Sequence, residues 1–367
     1  MSEPSSMLLI GIGGAGSAMA RGVSRAYGEG LRYLLLDTDA STGQADEPFT
    51  LLGGERLSGR GAGGDIVTAR LAAEDSIDAL DEALEGVRLA VIVTALGGGT
   101  GGGATLETTK HLKKRGIPSI VFATTPFTFE GENRQQNARG VMGMIEEVAN
   151  ATFFIPLDKL IADADNMDEA MQRAVGTLAS GVTLFWRLVG KPGYIKLDTE
   201  RIRHLISRAG RGRFTTVTMQ GPNRAAEAVD ALTRAPLLAE GSGAVRAILC
   251  GVLAGEDLRL SEVGKIADGV RNAFGARCAF ELATVNDEAT FCGRLSVVAM
   301  LFEANGKDDD AAGASVISGG KKKPRNRNPL AQGPQGRGRF NNAEPTIWNG
   351  EDLDIPTFIR RNINLEF

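Results

Sequence analysis

Residues 95–106 read ALGGGTGGGATL, and six of these twelve residues are glycine. A glycine in an ordered backbone costs about 0.5–1 kcal/mol relative to alanine, so this density needs a physical reason. The apolar run LAVIVTA at 89–95 predicts a strand before the glycines, and TLETTKHLKKRG at 105–116 predicts a helix after them. A glycine-rich turn between a strand and a helix lets backbone N–H groups approach an anion at the positive end of the helix dipole.

A second turn of the same kind lies near the start of the chain. The stretch GIGGAGS at 11–17 overlaps the end of the apolar run MLLIGIG at 7–13. One such turn occurs by chance, and it is also explained by close packing of a helix on a strand. Two of them at strand ends of one parallel sheet converge on one crevice, which predicts a site for a nucleoside di- or triphosphate.

Two common nucleotide folds match this pattern less well. The P-loop pattern GxxxxGK[ST] is missing from the sequence, and with it the lysine that binds phosphate. A dinucleotide-binding fold accommodates GIGGAG, with Asp37 or Asp39 on the ribose, but it does not explain the glycines at 97–103. A nicotinamide-dependent oxidoreductase also needs catalytic His, Arg and Asp side chains downstream, and the sequence shows no recognisable set.

The order of predicted elements divides the chain. Up to about residue 160, continuous apolar runs alternate with helical patterns, which predicts an α/β fold with a parallel sheet covered on both faces. From Arg211 the order β, α, β, α, β, β predicts a smaller mixed α+β domain. We therefore predict a nucleotide-binding domain at 1–196, a central helix at 197–210 that contacts both domains, and a second domain at 211–303.

The composition changes after Glu303. Residues 304–348 are poor in large apolar side chains and rich in Gly, Pro, Asn and charge, which predicts a disordered linker. Its tract 321–339 has seven Lys or Arg and no acid, typical of a solvated tether or of a weak contact with a polyanion or an acidic membrane. In 349–367, apolar residues at helical spacing predict a docking peptide.

The overall composition excludes several classes of protein. The net charge of −4 does not favour nucleic-acid binding. The start MSEPSS lacks the features of a signal peptide, and no apolar run reaches the 18 or so residues of a membrane span. We interpret the three cysteines, which lack metal-site spacing, as buried thiols of a protein in the reducing cytosol.

Several stretches together resemble the FtsZ branch of the tubulin/FtsZ family. GGGTGGG at 97–103 matches the family pattern GGGTG[ST]G with one change, at Gly102. DTDAS at 37–41, PFTFEGENR at 126–134 and LDIPTFIRR at 353–361 are similar to further family motifs. The resemblance implies a tubulin/FtsZ-like fold and a cytoplasmic protein of the bacterial division site. It also implies GTP or GDP with Mg²⁺ as ligands, hydrolysis of GTP and head-to-tail polymerisation.

The resemblance also implies roles for individual residues. It predicts a membrane-anchoring division adaptor as the partner of the segment from Asp354 to Arg361. The glycine turns are expected to hold the phosphates, the loop of Ala62 to sense the γ-phosphate, Glu130 with Arg134 to bind the ribose, and Met171 with Gly176 to lie beside the base. The implied nucleotide-binding residues are Gly13, Gly14, Ala15, Gly16, Ser17, Ala18, Ala62, Gly63, Gly98, Gly99, Thr100, Gly101, Gly102, Glu130, Arg134, Met171 and Gly176.

The departures from the family pattern cluster around the base. The family has Asn at the position of Ala18, an aromatic residue at Met171, and Asn-Asp at 175–176, where this chain has Val-Gly. Loss of these polar groups leaves the strictness of guanine recognition open, because an unpaired base edge relaxes specificity. Asp165 or Asp168 from the preceding segment is a candidate for compensation.

A second departure concerns hydrolysis. In the family a pattern N-x-D-x-x-D enters the pocket of the next subunit, where its two carboxylates position the attacking water. Here 196–201 reads KLDTER, so Asp198 keeps the first carboxylate while Lys196 and Arg201 replace the Asn and the second Asp. Two interpretations stay open. The cations stabilise phosphate charge as an arginine finger does, or Asp198 alone supports slow hydrolysis in a filament that serves mainly as a scaffold.

Overall fold

A computed structural model describes residues 6–160, 166–207, 209–239, 244–275 and 278–304, together with two short strands near the end of the chain. The first five ranges belong to one compact unit. The two short strands, Ile347–Trp348 and Glu351–Asp352, pair with each other in an antiparallel hairpin of a second unit. The predicted linker 304–348 and docking peptide 349–367 otherwise lie outside the described residues.

The first half of the large unit is a parallel sheet in the order β3-β2-β1-β4-β5-β6. Its strands are β1 Met7–Ile12, β2 Tyr33–Asp37, β3 Phe49–Leu51, β4 Leu89–Ala95, β5 Ser119–Thr125 and β6 Ala151–Pro156. Its helices are α1 Gly13–Tyr27, α2 Gly54–Leu57, α3 Ile66–Ser76, α4 Gly99–Lys114 and α5 Glu132–Val148. The central strands are buried along their whole length because helices cover both faces, so the α/β prediction is confirmed.

The second half continues the same sheet. Strand β7, Ala209–Gln220, pairs in parallel with β6 near its start on one side and antiparallel with β10 along its length on the other. The remaining strands are β8 Val245–Ala254, β9 Ala279–Asn286 and β10 Arg294–Ala304, and the helices are α8 Arg224–Arg234, α9 Pro236–Ala239, α10 Leu260–Phe274 and α11 Glu288–Phe291. The sheet is therefore mixed here, as predicted, and has ten strands in total. The domain boundaries at 196 and 211 stay predictions.

The helix predicted at 197–210 is present but shorter than predicted. The helix in that region, α7, covers only Thr199–Ile206, because the backbone from Ala209 onward pairs with β10 as strand β7. The long helix that packs on both halves is α6, Met167–Gly190, which has 24 residues and contacts α1 as well as β8, β9 and β10. Trp186 on α6 is fully buried in the core that α6 shares with both halves.

The cysteines lie in three different environments. Cys250 is fully buried in β8, and burial raises the pKa of its thiol to about 12. Cys278 is half-buried, which also raises its pKa. Cys292 is exposed, because it follows α11 where the chain turns at Gly293 before β10. The interpretation of all three as buried thiols is therefore wrong for Cys292.

Candidate nucleotide-binding site

The two glycine turns lie against each other in the fold. Strands β1 and β4 are parallel neighbours, and each turn follows the carboxyl end of its strand. A side chain added at Gly13, where φ is +76°, would lie 3.5 Å from the backbone N of Gly101 and 3.8 Å from Cβ of Thr100. The predicted convergence of the two turns is therefore confirmed.

Among the described residues, no side chain caps the N-terminus of either helix that begins at these turns. Neither α1 nor α4 has a side-chain cap or an acidic residue in its first turn. In contrast, Asp65 caps α3 by accepting hydrogen bonds from the backbone N–H groups of Val67 and Thr68. Uncapped N–H groups need another acceptor, and two such helix ends side by side fit the charge and the oxygens of a polyphosphate.

Not every glycine faces this crevice. A side chain at Gly16, Gly99 or Gly101 would lie 2.5 Å from Val93 O, 2.6 Å from Asp65 O and 1.9 Å from Ala95 O, respectively. Packing alone therefore requires these three glycines, whatever their backbone N–H groups bind. Only their backbone N–H groups remain as candidate donors.

Only some of the residues predicted to bind nucleotide are accessible in the crevice. Gly14 is exposed, and the space beside Gly98 is open. Gly102 is buried, with Val141 Cγ1 3.3 Å from its side-chain position. Ser17 is fully buried, and its hydroxyl has no hydrogen-bond partner among the described residues. The side chain of Ser17 is therefore not presented to the crevice.

Thr38 connects a third loop to the second glycine turn. Its hydroxyl lies 2.7 Å from the hydroxyl of Thr100 and accepts a hydrogen bond of 3.1 Å from the backbone N of Ala62. Gly63 follows with φ of +59° and no atom near its side-chain position. The loop of Ala62 is thus held beside Thr100. Thr38 was missing from the predicted site, although it lies within the motif DTDAS.

Glu130 and Arg134 lie together at the start of α5. Arg134 Nη1 is 2.9 Å from Glu130 Oε2, and Glu130 also accepts a hydrogen bond from the backbone N of Phe127. A side chain at Gly97 would lie 3.4 Å from Cβ of Arg134. The two residues predicted to bind the ribose are therefore paired with each other next to the second glycine turn.

The region predicted for the base lies between α1 and α6. Ala18 is exposed on α1, and the side-chain position of Gly22 is 3.1 Å from Cβ of Ala179 on α6. Gly176 is exposed, with no atom near its side-chain position. The side chains of Met171 and Asp168 and the whole of Asp165 lie outside the described residues.

Asp198 lies near the amino ends of the parallel strands, whereas the glycine turns lie at their carboxyl ends. Its carboxylate caps α7 by accepting a hydrogen bond of 2.8 Å from the backbone N of Arg201. Two residues later, Glu200 pairs with Arg88, directly before the amino end of β4. The second glycine turn follows the carboxyl end of β4, and a seven-residue strand spans about 23 Å. The carboxylate and the crevice of one chain therefore do not form one site.

The described residues contain no cluster of three or more His, Cys, Asp or Glu side chains that could hold a metal ion. They also contain no helix long and apolar enough to cross a membrane.

The parallel sheet and the paired uncapped helices define a nucleotide-binding protein of the α/β class. Residues 6–165 match the family model described as Tubulin/FtsZ family, GTPase domain. The cell division protein FtsZ of Pseudomonas aeruginosa is 31% identical over 286 residues, covering 76% of this chain and 72% of that protein. The chain belongs to the Tubulin/FtsZ family of tubulin-like cytoskeletal GTPases, as a divergent FtsZ-like member.

Solved structures show the same fold. An empty FtsZ dimer from M. jannaschii has a TM-score of 0.76 and 25% identity, covering 81% of this chain and 88% of that one. The GTPγS-bound protofilament of CetZ2 from Haloferax volcanii has a TM-score of 0.69 and 21% identity, covering 83% of this chain and 96% of that one. The predicted tubulin/FtsZ-like fold is therefore confirmed.

Proposed function

We propose that this protein binds GTP in the crevice between the two glycine turns and polymerises head to tail into filaments of the bacterial division ring. The observation that carries the proposal is the pair of uncapped helix N-termini, α1 and α4, with Gly13 and Gly101 in close approach. A relative named as a cell division protein and a neighbour solved as a dimer support assembly and division as the context.

Hydrolysis in this proposal needs two subunits. Asp198 lies about one strand length from the crevice of its own chain, so it can act only on a nucleotide held by a neighbour. In that position its carboxylate would orient and polarise the attacking water. Thr100, Glu130 and Arg134 of the nucleotide-holding subunit would bind phosphate and ribose. GTP would supply the negative charge of the polyphosphate, which Mg²⁺ and the uncapped helix ends would balance.

The rate of hydrolysis is expected to be low. Arg201 stands where the family has its second carboxylate, and a guanidinium cannot accept a proton from water. Its side chain is bound to Glu281 on β9 at 2.7 Å. This ion pair favours a second candidate function, a scaffold filament that assembles with nucleotide but hydrolyses little of it.

One experiment tests the proposal and separates the two candidates. Phosphate release and light scattering are followed with GTP over a range of protein concentrations. A GTPase completed between subunits gives a rate per subunit that rises only above the concentration at which scattering begins. A scaffold gives the same onset of scattering with almost no phosphate. A rate per subunit that is independent of concentration, without scattering, would contradict both.

A further inference from the structure

One ion pair on α1 has no role in the site described so far. The guanidinium Nε of Arg21 lies 2.9 and 3.0 Å from the two carboxylate oxygens of Glu47, and Nη2 lies 2.7 Å from Oε2 of Glu47. Nη2 also donates a hydrogen bond of 2.6 Å to the carbonyl of Thr42. The two side chains are only 18% and 16% exposed. Arg21 is therefore held in one orientation by three acceptors.

This ion pair is continuous with the first glycine turn. The hydroxyl of Thr42 donates a hydrogen bond of 2.7 Å to Oδ2 of Asp37. The same oxygen lies 4.0 Å from the side-chain position of Gly14. Asp37, Thr42, Arg21 and Glu47 thus form a polar wall that runs from the phosphate end of the crevice along α1. We call these four residues the α1 wall.

The other side of this slot is formed by α6. The side-chain position of Gly22 lies 3.1 Å from Cβ of Ala179 on α6, while Ala18 is exposed and Gly176 has no atom near its side-chain position. Since an α-helix rises 1.5 Å per residue, Ala18 and Arg21 lie about 8 and 12 Å along α1 from Gly13. A nucleotide with its phosphates at the glycine turns would therefore extend its base along the stretch of α1 from Ala18 to Arg21.

The free donors of Arg21 suggest what this wall does. Nε and Nη2 are bound to Glu47 and Thr42, whereas Nη1 donates no hydrogen bond to any residue in the part of the chain that the structure describes. We propose that Arg21, oriented by Glu47, hydrogen-bonds to the O6 and N7 edge of guanine. It would thereby replace the polar groups that this chain lacks at Ala18, Val175 and Gly176. The inference rests on the proposed binding of GTP.

Arginine suits this edge for a chemical reason. Guanine presents two acceptors, O6 and N7, whereas adenine presents an amino group in place of O6. An adenine would bring its N–H donors against those of Arg21 and leave both unpaired, which penalises binding. This mode of recognition ignores the N1 and N2 hydrogens, which a carboxylate would bind. The two modes therefore differ in how they treat inosine, which keeps O6 and N7 but lacks the 2-amino group.

Nucleotide analogues test the inference on the unmodified protein. After removal of bound nucleotide, dissociation constants are measured by calorimetry for GTP, ITP, 7-deaza-GTP and ATP. We expect ITP to bind within about threefold of GTP, 7-deaza-GTP about tenfold more weakly and ATP about 10- to 100-fold more weakly. Strong loss with ITP together with undiminished binding of 7-deaza-GTP would overturn the inference, because recognition would then lie at N1 and N2.

Variants assign the effect to Arg21. Arg21→Met should lose about tenfold or more of the preference for GTP over ATP, and Glu47→Gln should lose less, since it loosens but keeps the guanidinium. Arg25→Met is the matched control, because Arg25 lies one turn further along α1, and its hydrogen bond goes to the backbone carbonyl of Arg21. Arg21→Lys, which keeps the charge without the planar fork, replaces the Met variant if that one unfolds.

The outcomes separate this inference from the proposed function. If no nucleoside triphosphate binds to the unmodified protein, the proposed function fails. If GTP is preferred and the preference is unchanged in Arg21→Met and in Arg21→Lys, only the role of Arg21 fails.

Discussion

The guanidinium Nη1 of Arg201 lies 2.7 Å from Oε1 of Glu281, so the side chain that replaces a family carboxylate is bound to β9 of its own chain. The two side chains are 53% and 28% exposed, and such a pair contributes about 0–1 kcal/mol to stability. Both residues of the pair can therefore be substituted without loss of the fold. In the proposed filament, its main effect would be on which charges face a neighbouring subunit.

Rebuilding the second carboxylate should speed hydrolysis. Arg201→Asp alone would place an acid beside Glu281, so we combine it with Glu281→Gln. The double variant is expected to release phosphate faster per subunit than the unmodified protein, with a free energy of unfolding within about 1 kcal/mol of it. Arg203→Asp is the control, because Arg203 lies on the same helix and pairs with Glu200 instead. A double variant no faster than this control would remove position 201 from the account of slow turnover.

Asp198 caps α7 and has a proposed role in hydrolysis, and different substitutions separate the two. Asp198→Asn keeps an N-cap for α7, since asparagine caps as well as aspartate, but it removes the charge. We expect unchanged thermal stability and nucleotide binding together with loss of hydrolysis. Asp198→Ala removes the cap as well and should cost about 1 kcal/mol of stability. A normal rate of phosphate release from Asp198→Asn would show that the carboxylate takes no part in hydrolysis.

Gly98 offers the cleanest test of the phosphate site. It is the N-cap of α4, with ordinary φ of −87° and open space beside it. Gly98→Asp should cap α4 and leave stability equal or slightly higher, while its charge and its hydrogen bond displace phosphate from the same N–H groups. Binding of GTP should then fall by at least about tenfold, and less in Gly98→Asn, which is neutral. Equal affinity in all three proteins would place the phosphates elsewhere.

The sequence predicted the parts of the fold that depend on local pattern. Continuous apolar strands and the two glycine turns are visible in the sequence, and the structure contains both. The sequence did not mark α6 as the long helix between the two halves, because residues 181–189 are all buried and a mostly apolar run does not by itself distinguish a helix from a strand. Its burial between two halves of the molecule is a property of tertiary packing.

The site was predicted less completely than the fold. The roles of Gly16, Gly99 and Gly101 in packing depend on carbonyl groups of other segments, which the sequence does not locate. The link between Thr38 and Thr100 joins residues 62 positions apart, and the pair of Arg21 and Glu47 joins residues 26 positions apart. Such contacts become visible only once the sheet order is known.

Acid should destabilise the second half of the sheet. The hydrogen bond from the buried Arg224 lowers the pKa of Glu262, so this carboxylate stabilises the fold above its unfolded pKa of about 4.3. That stabilisation is lost as the pH falls below 4.3 and through the lower folded value. Glu262→Gln should cost about 1–3 kcal/mol at pH 7 and flatten the dependence of the melting temperature on pH in the acidic range. An unchanged pH profile would show that this pair does not contribute.

The terminal segment is expected to act in anchoring and not in assembly. Deleting Asp354 to Phe367 leaves every residue of the crevice and of α7 in place. GTP-dependent light scattering of the truncated protein should therefore equal that of the full chain, while a fluorescent fusion should lose its position at the division site. A truncated protein that still forms a normal ring would place the anchor elsewhere, with the basic tract 321–339 as the next candidate.

A mixing experiment tests the central claim, that one active site is shared by two subunits. Asp198→Asn keeps the crevice and lacks the carboxylate, whereas Gly98→Asp keeps Asp198 and is expected to bind GTP only weakly. Each variant alone should release almost no phosphate from GTP. An equimolar mixture should release more than the sum of the two, because Asp198 of one variant meets the nucleotide held by the other. A mixture that gives only the sum, or Asp198→Asn alone at the full rate, would contradict the account.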